Sequence, residues 1–326
     1  PAILFFAFGA VAGMLRSNLE IPHPISRFLS LYLLMALGLK GGFALAKSGL
    51  TSEVAVSLAC AVGLAIAIPA LSYVVLRRVV SGFDAAAIAA TYGSVSAVTF
   101  ITAVQYLETH QVPFGGHMAA AMALMESPAI VLAIVTANML RQQAAGGGVV
   151  LAASGNAALA APRLSMGRVL HESFTDGAQL LLLGSMLVGL LSGESGQASM
   201  QPFSGDLFKG MLAFFLLDMG LLTARNLGQL KGKSPALIAY GICAPLLHAG
   251  LALGLAALVG MSVGNATLLA VLAASASYIA VPAVLRHALP EANASLYFGM
   301  SLGLTFPFNI LIGIPLYAAA AKHLLA

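Results

Sequence analysis

The sequence predicts an all-α polytopic membrane protein: ten transmembrane helices arranged as a five-plus-five inverted repeat, with broken helices in spans four and nine. Three observations carry this. Of 326 residues, 60% are hydrophobic and only 8% charged, whereas a soluble domain carries about a quarter charged residues. Ten apolar runs of near-spanning length are set apart by Pro, Gly or charge. Motifs of the first half recur in the second at an offset close to 181.

The runs follow in order. Span one, at 1–15, is short against the ~20 residues a spanning helix needs. A few residues are therefore expected to precede Pro1, and without a basic leader or cleavage site the run does not read as a signal peptide. Span two (26–46) carries Lys40, span three (54–76) Cys60, and span four (84–107) the stretch TYGSVSAVTF. Span five (117–140) holds Glu126-Ser127-Pro128. Residues 141–171, rich in Gly and Ala, read as a flexible linker between a first repeat at 1–140 and a second at 172–326. Spans six to ten are expected at 172–192, 205–224, 234–259, 265–286 and 295–321. Cys60 and Cys243 sit singly in separate apolar runs, so neither a disulfide framework nor a transition-metal site is expected.

Basic residues orient the spans. The odd-numbered loops hold eleven: Arg16, Arg27, Arg77, Arg78, Arg141, Arg163, Arg168, Arg225, Lys231, Lys233 and Arg286. The even loops and the C-terminus hold three: Lys47, Lys209 and Lys322. By the positive-inside rule the odd loops and the linker are cytoplasmic and both termini lie outside. The net charge of +4 is thus a topology signal. No basic cluster interleaved with aromatics suggests nucleic acid, and no P-loop suggests ATP drive.

Five spans per half place two related halves in the membrane with opposite orientation. Gly93-Ser94-Val95-Ser96 aligns with Ala274-Ser275-Ala276-Ser277, and Asp84 with Asn265, at an offset of 181. Leu37-Gly38-Leu39-Lys40 aligns with Met219-Gly220-Leu221-Leu222 at 182, and Glu126-Ser127-Pro128 with Thr305-Phe306-Pro307 at 179. Inverted repeats with interrupted helices are the architecture of secondary transporters, whose half-helix N-termini favour anions. Gly93, Ser94, Ser96, Ser275 and Ser277 are the candidate anion-binding residues. The same small residues would also suit close helix packing, with each hydroxyl on its own i−4 carbonyl.

Ionisable residues inside spans default to functional hypotheses. Glu126, beside the carbonyl that Pro128 frees, suits Na⁺ together with Thr99, Ser127 and Thr305. It could instead take a proton, or pair with Lys40. Lys40 either snorkels outward or supplies a fixed positive charge near the anion. Asp218 reads as a packing residue, and His248 as a satisfied core histidine. A serine hydrolase built on GSVS and His248 is a remote alternative.

LGLKGGFAL, YGSVSAVTF, MESPAIVLAIVTAN, LAASASYIAVPAVLR and SLYFGMSLGLTFPFNILIGIPLY together resemble the sodium-dependent bicarbonate transporters first recognised in cyanobacteria, the SbtA-type permeases. The resemblance covers nearly the whole chain. It implies bicarbonate bound between broken spans four and nine with Na⁺ nearby, and a core domain moving against a gate domain. It also implies a homotrimer in the inner (plasma) membrane of a bacterium and a PII-like cytoplasmic regulator; no cofactor is implied beyond Na⁺. The second half departs from the family pattern. Tyr278 stands where the serine run continues into an acid, and Phe306 where a small residue is usual. A H⁺-coupled or uncoupled carrier of another small oxyanion or carboxylate is the close alternative.

Overall fold

The computed structural model describes residues 2–49, 51–144, 177–230 and 232–325. The linker expected at 141–171 lies outside them from residue 145 onward. Every regular element among the described residues is helical. The first half gives α1 (Ala2–Met14), α2 (His23–Ser48), α3 (Ser52–Leu76), α4 (Gly82–Gly93), α5 (Ala97–Thr109) and α6 (Met118–Ala144). The second gives α7 (Gly177–Gln201), α8 (Phe208–Asn226), α9 (Pro235–Leu258), α10 (Val263–Ala274) and α11 (Ala280–Ala288). The last helix, α12, runs over Ala294–Leu325.

Local chemistry sets the ends. Thr51 and Ser81 cap α3 and α4 by accepting from the N–H groups of Val54 and Asp84, and Ser234 and Asn293 cap α9 and α12 in the same way. Glu53 and Asp84 add negative charge to the first turns of α3 and α4. Pro24 and Pro235 occupy first-turn positions, where the missing N–H costs nothing.

Among the described residues seven helical segments are long and apolar enough to cross a membrane, so this is a multi-pass membrane protein. The difference from the ten spans expected has local causes. α1 and α10 are apolar but short. α7 and α8 join into one 50-residue segment, bent at Gly193 (φ 56°) and continued through a π-helical turn at Pro202–Asp206.

Two close helix pairs, α1 with α8 and α2 with α7, stand side by side and meet through glycine. A Cβ on Gly220 would collide with the Phe6 carbonyl, and one on Gly42 with the Met186 carbonyl. The remaining helices pack around α4, α5 and α10, which are buried almost throughout. Large apolar side chains such as Leu4, Leu71, Leu191, Leu247 and Leu258 cover the outer faces, as lipid contact requires.

Candidate functional site

The two breaks lie against each other at the centre of the protein. α4 stops at Gly93 and α5 starts at Ala97; α10 stops at Ala274 and α11 starts at Ala280. A broken helix leaves amides and carbonyls without helical partners, and here many are satisfied across the crossing. The Ser96 N–H donates to Ser275 Oγ at 3.0 Å, and the Ser277 N–H donates to the Thr91 carbonyl at 2.8 Å. Asn309 donates to the Ala274 carbonyl at 2.8 Å and is itself oriented by the Tyr317 hydroxyl, also at 2.8 Å. Asn309 opens one of two π-helical turns flanking Pro307 in α12; Thr305 closes the other.

Ser96 is the N-cap of α5, and Ser277, two residues before the cap position Ile279 of α11, also reaches a first-turn amide. Ser96 Oγ accepts from the Thr99 N–H at 3.2 Å and from the Thr99 hydroxyl at 2.9 Å, while Ser277 Oγ accepts from the Val281 N–H at 3.3 Å. Ser94 donates to the Glu126 carbonyl at 3.2 Å, and Ser275 to that of Leu272 at 2.9 Å. Gly93 presses on Pro69 of α3, where any side chain would clash.

Beside the crossing lies a cavity of about 230 Å³. Its wall includes Ser96, Ala97 and Val98 at the start of α5 and Ser277, Ile279 and Ala280 at the start of α11. Two half-helix N-termini, each a positive dipole end, therefore border one space. Glu126 lines the same space and accepts a hydrogen bond from Gln179 of α7 at 2.7 Å. Buried Tyr278 also lines it, packs against Phe306 with ring centres 5.0 Å apart and planes tilted by 58°, and points its hydroxyl at the Met219 sulfur. Sequence reasoning passed over Gln179 as a site residue, since it stands at the edge of an apolar run; Asn309 carried a usable signal, a lone amide two residues past Pro307 in an apolar run.

Other expected residues fall elsewhere. Thr305 contacts the Tyr92 hydroxyl at 2.6 Å and donates to the Gly241 carbonyl at 2.8 Å, away from Glu126. Ser127 is buried, and among the described residues its hydroxyl has no hydrogen-bond partner. Lys40 does not pair with Glu126. It lies six residues beyond Leu34 on α2, about 9 Å further along the helix, and there meets Glu108 at the far end of α5, at 2.9 Å. His248 is buried on α9, and its Nδ1 has no hydrogen-bond partner among the described residues, so it is not the fully satisfied core histidine expected; nothing among them joins it to Ser94 or Ser96. Asp218 lies on α8, which packs against α1 and α2, and does not line the cavity. Among the described residues no cluster of His, Cys, Asp and Glu could hold a metal ion.

Compared with known families, the chain matches the Na⁺-dependent bicarbonate transporter superfamily over residues 1–322. No curated protein matches it.

Proposed function

We propose that this chain, which belongs to the Na⁺-dependent bicarbonate transporter superfamily, is a secondary-active carrier taking up bicarbonate with Na⁺ by alternating access. The observation that carries the reading is the cavity bordered by two half-helix N-termini and one carboxylate. An oxyanion placed there faces the first-turn amides of Ala97 and Val98, for which helix geometry supplies no partner. It also faces the hydroxyls of Ser96 and Ser277. Glu126 offers the coupling cation a hard oxygen ligand, with Ser127 beside it in sequence. Thr99, tied to Ser96, links cation and anion positions. Binding both ions together lowers the net charge that must cross a poorly polarisable region.

The ten-span inverted repeat remains our reading of the topology, with α4–α5 as span four and α10–α11 as span nine. It is supported by helix pairings that exchange under the repeat: α1 on α8 corresponds to α2 on α7, and α3 on α4 to α9 on α10. In this reading α1, α2, α7 and α8 form the gate and the remaining helices the moving core. Both termini lie outside a bacterial inner membrane, the linker is cytoplasmic, and the Ser96–Glu126 cavity is on the cytoplasmic side of the crossing. Assembly as a homotrimer and binding of a PII-like regulator follow from the family resemblance alone.

A second reading, H⁺ coupling or another small oxyanion or carboxylate as cargo, is favoured by one observation. Tyr278 fills the wall where the family pattern has an acid, leaving Glu126 as the only carboxylate lining the cavity among the described residues. Uptake of ¹⁴C-bicarbonate into proteoliposomes at fixed pH, with and without an inward Na⁺ gradient, separates the two. Uptake that needs Na⁺ and is lost in Glu126→Ala supports Na⁺ symport. Uptake driven by a pH gradient and indifferent to Na⁺ replaces it with the second reading. No uptake by folded protein removes bicarbonate as cargo.

A further inference from the structure

On the other side of the crossing a larger cavity, about 680 Å³, opens between α2, α5 and the turn joining α7 to α8. Three lysines line it (Lys40, Lys47 and Lys209) against two carboxylates, Glu108 and Asp206. Their arrangement is uneven. Lys40 is the deepest: its ammonium sits 2.9 Å from Glu108 Oε1 and 4.0 Å from the centre of the Phe208 ring. Lys47 and Lys209 are exposed, and among the described residues neither has a carboxylate within salt-bridge distance. One face of α5, Phe100–Val104–Glu108, forms the wall opposite Lys40 and leads down to within about one turn of Ser96. A concave space with low-dielectric walls and an excess of one sign of charge focuses the field and concentrates counter-ions.

We propose that this vestibule is an entry site for small anions. Lys47 and Lys209 collect them at the rim. Lys40 is the last cation they meet before the crossing, and an arriving anion takes the place of Glu108 on its ammonium. The aromatic face of Phe208 keeps the ammonium in position while the partner changes. The inference rests on the anion-carrier reading but is tested apart from it.

Gln197 lines the vestibule, so Gln197→Cys places a reporter thiol there. Cys243 is replaced by Ser, and Cys60 is buried. The thiol is reacted with sulfonatoethyl and trimethylammonioethyl methanethiosulfonate, and the ratio of rates is normalised to a small thiol in solution. At low salt the anionic reagent is expected to be favoured. Lys40→Gln should lower the ratio roughly threefold or more, as loss of one charge within about 10 Å implies. Lys40→Arg should preserve it, Glu108→Gln should raise it, and molar salt should bring it to one. A ratio below one in the parent, or one unmoved by both Lys40→Gln and Glu108→Gln, overturns the proposal. In proteoliposomes Lys40→Gln should raise the KM for the transported anion while leaving the maximal rate near its parent value. A rate ratio that behaves as expected beside an unchanged KM also overturns the entry role. Absence of any anion uptake would instead remove the carrier reading, with the thiol rates still deciding the vestibule's sign of charge.

Discussion

Single side chains hold the crossing together, and each does a separable job. Ser96 caps α5, so Ser96→Ala should cost about 1 kcal/mol, seen as a lower thermal midpoint in detergent, and should raise the KM for the anion. Asn309 is different in kind, because it satisfies a carbonyl that no water reaches. Asn309→Leu, similar in size, leaves the Ala274 carbonyl bare and should cost roughly 1–3 kcal/mol. Tyr317→Phe only loosens Asn309 and should cost less; the reverse order would refute this division of labour. The serine pattern made the crossing legible in the sequence, because the hydroxyl pairs recur at one offset in two apolar runs, which packing of a single helix would not require. The pairing of Lys40 was not legible. Spacing along one helix says nothing of which helix lies opposite, and Glu108 sits at a helix end that reads as loop.

Among the elements, glycine has two opposite meanings. Gly42 meets the backbone of α7, whereas a Cβ on Gly63 of α3 would meet nothing within 4 Å. Gly63→Ala should therefore stabilise the protein by up to about 1 kcal/mol through helix propensity. Gly42→Ala must push two helices apart and should destabilise by about 1–3 kcal/mol. Thermal unfolding of the two variants checks the opposite signs. Most helices were legible within a few residues because apolar runs and caps announce them. The merger of α7 with α8 was not: a Gly193 bend and a π-helical turn keep the hydrogen-bonded chain going where composition suggests a loop. The short α10 and α11 were legible only as a break, since tertiary contacts fix where each half-helix stops.

At the scale of the whole molecule the halves are tied at their edges as well as their centre. At the end of α6, Arg141 donates to both oxygens of Glu291, each at 2.8 Å, and to the Ala288 carbonyl at 2.9 Å. The Arg141 guanidinium holds the Glu291 carboxyl below its ordinary value of 4.5. A carboxyl lowered on folding stabilises the folded state above its unfolded value and loses that contribution as pH falls through the folded one. Both groups are part-exposed, so the effect is under about 1 kcal/mol. The gap in thermal midpoint between the parent and Glu291→Gln should be constant above about pH 5 and close on further acidification. The all-helical, multi-pass architecture was the most legible large-scale feature, because long apolar runs almost free of charge have few other folds open to them. Which helix faces meet was not legible, since small residues mark close approach without naming the partner.

The exchange of partners between halves also sets a timetable. The amide of Ser96 has to wait for a hydroxyl 179 residues later in the chain; Gly42 of α2 waits 144 residues for Met186 of α7, and Phe6 of α1 waits 214 for Gly220 of α8. At about 5–20 residues per second, the first half spends on the order of ten to forty seconds in the membrane with its polar break and its tightest helix faces unmatched. Whatever shields newly inserted helices during synthesis must hold this one open for that interval.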